Sequence, residues 1–436
     1  MSPTNLDNVL VSLGIGRYQF VGCLLFGLMI MYSNVSPIAY IFTSGDLKYR
    51  CEIPECDPLA QAERTYQPDW LRYTTPFRED TGLPKKCLRY ATVTDRSGNG
   101  TQCAPDIFDG QVTEHCGDQW VFENYENTIG TEFGLMCEEN KWKLSMVGTI
   151  NNFGQFIGIP MSGIIADKMV EESMRWLEMQ GKHERVIHAL QVISGINKKP
   201  LPEIHLTTRT KATKSIDDTG YIRILKDVIH SPTLLWRMIK CSSIWIGITM
   251  VFFGLTISAT DIAGDKYLNF TLVSLVEIPA CLLNWMVMEG FSRKMSLSCM
   301  LVLSGATCVA YNLTSSDYFF VKLSLFLISK LGISVAFVIV YLLTVEIFPT
   351  RMRVSLLSIC SMIGRIGSML APQITLLGDY FGEFVVMPVF GITALTAAVV
   401  TMTMPESKNI KLPDTVDEAE RIGTTRQLLP ENVNSA

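Results

Sequence analysis

Eight long stretches almost free of charge constrain what this chain can fold into. They run Tyr18 to Phe42, Leu144 to Ala166, Lys240 to Thr260, Tyr267 to Met288, Met295 to Tyr311, Phe319 to Val345, Val354 to Leu377 and Phe384 to Met404. Each is near the ~20 residues that cross a ~30 Å hydrocarbon core. No water reaches the backbone there, so each segment must satisfy its own donors and acceptors as a helix, and open strands are excluded. Of the 436 residues 48% are hydrophobic and 18% charged, against the ~25% charge of a soluble domain. The first stretch exceeds the ~7 to 15 apolar residues of a signal peptide and no clear cleavage site follows, so it counts as the first span.

Basic residues in the loops set the orientation. Between Ile41 and Lys141 there are 18 acidic and 10 basic residues, whereas Asp167 to Lys240 holds 13 basic and 9 acidic. The second segment is therefore expected in the cytoplasm, in agreement with Arg293, Lys294, Arg351 and Arg353 in later loops, and both chain ends fall on that side. The acidic loop carries Cys51, Cys56, Cys87, Cys103, Cys116 and Cys137. An even cluster in an extracellular loop implies three disulfides, with about 15 pairings open. Asn99 opens a glycosylation sequon in the same loop. Asn269 and Asn312 also match the pattern, but lie near span ends where the glycosylating enzyme has poor access. The segment Glu171 to Asn197 has helical spacing, with Trp176, Leu177, Val186, Ile187, Leu190 and Ile193 recurring between charges.

Several strings resemble the organic cation, organic anion and carnitine transporter family of solute carriers, within the major facilitator superfamily. They are GIGRYQ from Gly14, YRC from Tyr49, TIGTEFGLMCEENKW from Thr128, ESMRWLEMQGKHERVIHALQVISGINKK from Glu172, LNFTLVSLVEIP from Leu268, VEIFPTRMR from Val345 and SMIGRIGSMLAP from Ser361. The likeness covers most of the chain. It implies a midplane cavity between two six-helix lobes of inverted repeats. At Asp167 and Lys168, however, the family's loop motif after the second helix begins and then breaks off into the central cytoplasmic segment. The usual proline there is replaced by Glu171.

The resemblance thus implies an all-α, major-facilitator-type membrane protein of about eight transmembrane helices, with a complete C-terminal six-helix lobe and a truncated N-terminal lobe. The third to sixth helices are expected to be absent. The expected division is a cytoplasmic N-terminus (1–17), a first helix (18–42), an extracellular disulfide-rich loop (43–143) and a second helix (144–166). Cytoplasmic amphipathic helices and a linker (167–239), the six-helix lobe (240–404) and a cytoplasmic tail (405–436) follow.

A charge near the bilayer centre costs about 2.5–3.5 kcal/mol on insertion scales, so charges within spans are functional candidates. Glu277 stands in LVEIP, two residues before Pro279; Lys330 and Arg365 lie near the middle of their runs. By the resemblance, Arg365 occupies the position where cation-selective relatives tend to carry aspartate and anion and carnitine carriers carry arginine. A guanidinium there offers two parallel bonds to a carboxylate. The blander role for Arg365 is a helix-locking pair with Glu277 or an acid at a helix end, and for Lys330 it is snorkelling to the interface. Phe252 and Phe253 stand where the family usually shows tyrosine and are candidates for an aromatic cavity wall, or for simple packing. Glu346 with Arg351 or Arg353, and Asp167, are candidates for a conformational latch.

There is no Walker loop, HExxH or nucleophile elbow, and the five histidines do not cluster, so neither an enzyme nor a metal site is expected. No cofactor is expected either. Basic residues gather beside spans, which leaves nothing for nucleic acid. The expected function is transport of a small organic ion across the lipid bilayer of the plasma membrane. An organic anion or a zwitterion such as carnitine is favoured over a cation, with activity impaired by the missing helices. The alternative is a non-transporting truncated variant that regulates a full-length carrier as its partner.

Overall fold

The computed structural model describes residues 14, 16–45, 47–58, 60, 63–78, 82–93, 103–117, 119–169, 183–200, 230–260, 262, 265–315, 318–349, 353–408, 413 and 416–422. The chain is mainly helical, as its apolar runs require. Helix α1 (Arg17–Thr43) leads into the cysteine-rich domain, which holds strands β1 (Tyr49–Cys51), β2 (Leu88–Thr92), β3 (Phe108–His115) and β4 (Trp120–Phe122). Helix α2 (Glu138–Met169) follows, then α3 (His183–Asn197) and the large helical lobe. That lobe comprises α4 (Pro232–Ser258), α5 (Lys266–Leu275), α6 (Glu277–Gly290), α7 (Arg293–Leu313), α8 (Phe319–Ile347), α9 (Arg353–Phe381) and α10 (Val386–Met402). A short tail helix, α11 (Val416–Arg421), closes the described chain.

Among the described residues, five helices are long and apolar enough to cross a bilayer: Pro232–Ser258, Lys266–Gly290, Arg293–Leu313, Phe319–Ile347 and Ser355–Gly378. The second of these has a local irregularity at Val276, where α5 passes into α6 while the backbone stays in the helical region and the Ala280 amide still reaches the Val276 carbonyl. Pro279 accounts for the irregularity, because its missing amide removes one bond from the helical ladder just after Val276.

The cysteine-rich domain is stapled rather than built around a large core. Cys51 pairs with Cys116, Cys56 with Cys103 and Cys87 with Cys137, which settles the open connectivity. β1 pairs antiparallel with β4 and β2 with β3. At the domain's centre Arg50 and Asp57 form a fully buried ion pair at 2.7 Å, with side chains 0% and 1% exposed. Such a pair is tolerated only when the remaining donors and acceptors are satisfied. Here Arg50 also donates to the carbonyls of Cys51, Thr65 and Tyr66, its guanidinium lies over the Trp70 ring, and Asp57 accepts from the Ile53 amide.

The sequon at Asn99 lies outside the described residues. Asn269 is 2% exposed and its amide donates to the Ile262 carbonyl at 3.1 Å, so this fold presents no acceptor at that sequon. The α3 pattern is borne out where it is described: Val186, Leu190 and Ile193 are buried on one face. Trp176 and Leu177 lie outside the described residues. Asn197 at the end of α3 accepts from the Tyr18 amide and donates to Gln19, tying α3 to the entry of α1.

The lobe is held by close helix contacts at small residues, the packing solution available where lipid supplies no hydrophobic drive between helices. On α9, a Cβ at Gly367 would meet the Ile246 carbonyl at 2.1 Å, and one at Gly364 would meet Trp245 at 3.1 Å. Thr249 of α4 donates to the Gly364 carbonyl, and Trp245 donates across to Thr344 of α8. On α7 and α10, Gly305 and Gly391 pack against each other's backbone carbonyls. A second seam joins α9 to α2: Thr149 donates to the Met369 carbonyl, Gln373 donates to Thr149, and Gly148 faces Tyr40 and Pro372.

Two outcomes follow. Peptide mapping of the unreduced protein should recover the three cysteine pairs above and no fragment joining Cys51 to Cys56. Gly367→Ala should destabilise the chain by about 1–3 kcal/mol through forced separation of α4 from α9, read as a lower melting temperature in detergent; an unchanged melting temperature would refute the close approach.

Candidate functional site

Glu277 stands at the first position of α6, facing Lys330 of α8. Lys330 does not snorkel: it is 1% exposed, with Nζ 3.5 Å from the Glu277 carboxylate. The same ammonium donates to Thr256 Oγ1 at 2.8 Å and lies 3.4 Å from the centroid of the Phe252 ring. A buried ammonium needs such compensation, because an unpaired charge in an apolar interior is strongly unfavourable. Phe252 thus does more than pack, since its ring face supplies a cation–π contact.

Arg365 stands on α9, with its guanidinium carbon 5.7 Å from the Phe253 ring centroid. The carboxylate paired to Lys330 is Glu277, so the helix-locking pair of Glu277 with Arg365 is not what forms. Among the described residues no ion pair to Arg365 is present. Phe252 and Phe253 meet edge to face at 5.4 Å, and Phe252 continues into a set of rings the sequence did not single out. Phe337 lies 4.9 Å from Phe252, and Tyr341 lies 4.5 Å from Trp245 and 5.6 Å from Phe337. Aromatic residues in an apolar span carry no mark that separates a shared wall from ordinary packing; only the meeting of α4 and α8 reveals the group.

The latch candidates sort differently from expectation. Glu346 at the end of α8 pairs with Arg293 Nε at 3.5 Å and accepts from Ser407 Oγ at 2.6 Å. Arg293, read from the sequence only as an orientation signal, opens α7 and so stands beside the end of α8, which explains why it is the partner in place of Arg353. Arg351 lies outside the described residues, as does the side chain of Asp167, although α2 runs through it to Met169. Next to this pair, Glu406 accepts from Ser292 Oγ and from the amides of Arg293, Ser407 and Lys408. Burial opposes its charge, but these bonds prevail and hold its carboxyl below the ordinary range.

The Lys330 pair is asymmetric, since Glu277 is 51% exposed and Lys330 is 1% exposed. Glu277→Gln, which strands the buried ammonium, should destabilise the chain by about 2 kcal/mol, and Lys330→Met by less than ~1 kcal/mol. A double-mutant cycle on thermal unfolding in detergent checks the order; equal losses would contradict the asymmetry.

Comparison with known proteins gives a concordant result. Residues 153–415 match the family model described as "Sugar (and other) transporter". Solute carrier family 22 member 21 of Mus musculus is 22% identical over 531 residues, covering 94% of this chain and 92% of that protein. Organic cation/carnitine transporter 2 of Homo sapiens is 23% identical over 523 residues, covering 93% and 92%. The Beta-alanine transporter of Drosophila melanogaster is 31% identical over 264 residues, covering 58% of this chain and 42% of that one. With the family model matching more than half of it, this chain belongs to the sugar (and other) transporter family, as a multi-pass, major-facilitator-type membrane protein similar to the solute carrier 22 organic cation/carnitine transporters.

Proposed function

We propose that this chain is a carrier-type protein for small organic anions or zwitterions that carry a carboxylate, with its own transport weak or absent. The observation that carries the substrate class is the charge left at the site. Glu277 and Lys330 offset each other, while Arg365 retains a guanidinium beside Phe253. A substrate carboxylate would take two parallel bonds from Arg365, beside the ring of Phe253. A lone organic cation would meet net positive charge. Two relatives are named for organic cations and carnitine and for beta-alanine, and carnitine and beta-alanine are zwitterions with a carboxylate.

The expected weakness rests on the N-terminal side. An alignment of 531 residues is longer than the chain's 436, so many aligned positions of that relative have no counterpart here, in keeping with the break in the family motif after Lys168. Helices α1 and α2 then carry the N-terminal share of the cavity alone, with Phe20, Met29 and Tyr32 of α1 at 70%, 69% and 84% exposed. Loss of an even number of helices would keep both termini cytoplasmic, and the proposed location is the plasma membrane. Those bare faces also support the second reading, a non-transporting form that docks on a full-length carrier through α1 and α2.

Cells expressing the chain, with surface delivery confirmed, should take up labelled carnitine or beta-alanine no faster than control cells. Robust saturable uptake would sink the impairment. Co-purification with a full-length relative, lost when Leu24 and Leu28 are changed to alanine, would favour the regulatory reading.

A further inference from the structure

The C-terminal tail comes back to the start of α4. Arg237, only 9% exposed, donates from Nη1 to the Ala419 carbonyl and from Nη2 to the carbonyls of Glu420 at 3.1 Å and Ile422 at 2.7 Å. The guanidinium thereby satisfies the Glu420 and Ile422 carbonyls at and just past the end of α11, and shares that of Ala419 with the Ile422 amide. Ala419 and Ile422 are buried at 0% and 3% exposure. The Glu420 carboxylate accepts a hydrogen bond from Ser231 Oγ. That same oxygen accepts from the Leu234 amide at 3.2 Å as the N-cap of α4, and Pro232 follows it at the first helical position. One hydroxyl thus caps a membrane helix and holds the tail.

We propose that Ser231 is a modification site for a proline-directed serine/threonine kinase, and that phosphate on it releases the tail from the end of α4. The Ser-Pro dipeptide is the local pattern such an enzyme needs. In the transfer, Ser231 Oγ attacks the γ-phosphorus of ATP. The new O–P bond forms as the bond to the β-phosphate oxygen breaks, ADP leaves, and the hydroxyl proton passes to the kinase's catalytic carboxylate. The product carries a charge of about −1.5 to −2 where the Glu420 carboxylate now accepts its hydrogen bond. Two anions then face each other with no proton between them.

The first turn of α4 responds oppositely, because its free amides and positive dipole end favour an anion. The cap survives while the tail contact is lost. Ser231 is 6% exposed with the tail docked, so the kinase reaches it only when the tail has lifted, and the modification then holds the tail away. Nothing in this device depends on whether the chain transports; it does require that this end faces the cytoplasm, as the basic loops indicate.

The test uses the purified full chain in detergent, ATP and a proline-directed kinase, with phosphosites mapped by mass spectrometry and tail docking read by amide hydrogen exchange at residues 416–422. The expected result is phosphate on Ser231 and exchange about tenfold faster or more, the loss of one charge-assisted bond. Ser231→Ala should show no kinase-dependent acceleration. Glu420→Gln, which removes the repulsion and keeps a donor, should accept phosphate yet keep its tail docked. A chain ending at residue 415 should be phosphorylated faster than the full chain. Absence of phosphate on Ser231 in that shortened chain, or phosphate on Ser231 with unchanged exchange at 416–422, overturns the proposal.

Discussion

The close approach of α4 and α9 is the contact on which the rest of the molecule depends. Gly364 and Gly367 admit the backbone and side chains of Trp245, Ile246 and Thr249 at distances no larger residue would permit. That approach sets Arg365, on the same turns of α9, beside Phe253 of α4. It also leaves the opposite side of α9 free to receive α2 through Thr149 and Gln373. One helix therefore links the large helical lobe to α2, and Arg365 sits on it.

Charge inside the lobe is arranged by the same geometry. The ammonium of Lys330 is tolerated because three side chains from two helices converge on it: Thr256 and Phe252 from α4, and Glu277 from the first turn of α6. Arg365 is left beside Phe253 with no ion pair among the described residues, and the proposed preference for a carboxylate-bearing solute rests on that charge. At the far end of the lobe, Glu346, Arg293, Glu406 and Ser292 bind the ends of α7 and α8 to the tail.

Much of this was legible in the sequence, because the bilayer imposes a coarse code: apolar runs become helices, and charges within them stand out. Glu277, Lys330 and Arg365 were visible for that reason. Their partners were not, since the pairing of Glu277 with Lys330 depends on which helices adjoin. Arg293 carried a sign that served for orientation and hid its bond to Glu346. Trp245, Phe337 and Tyr341 look like any apolar-span aromatics until α4 and α8 are brought together. The six loop cysteines announced disulfides but allowed many connectivities, and only the folded domain shows which pairs meet. The start of α2 at Glu138 escaped a hydropathy argument because its first turns are charged.

The central claim is that a carboxylate-accepting site survives in a cavity lacking part of one wall. Its most direct test inserts the third to sixth helices of a full-length relative between Lys168 and Met169 and measures uptake of labelled carnitine at matched surface amounts. The account predicts that the insertion creates saturable uptake and that Arg365→Ala abolishes it. Uptake by the unaltered chain equal to that of the insertion, or uptake indifferent to Arg365, would contradict it.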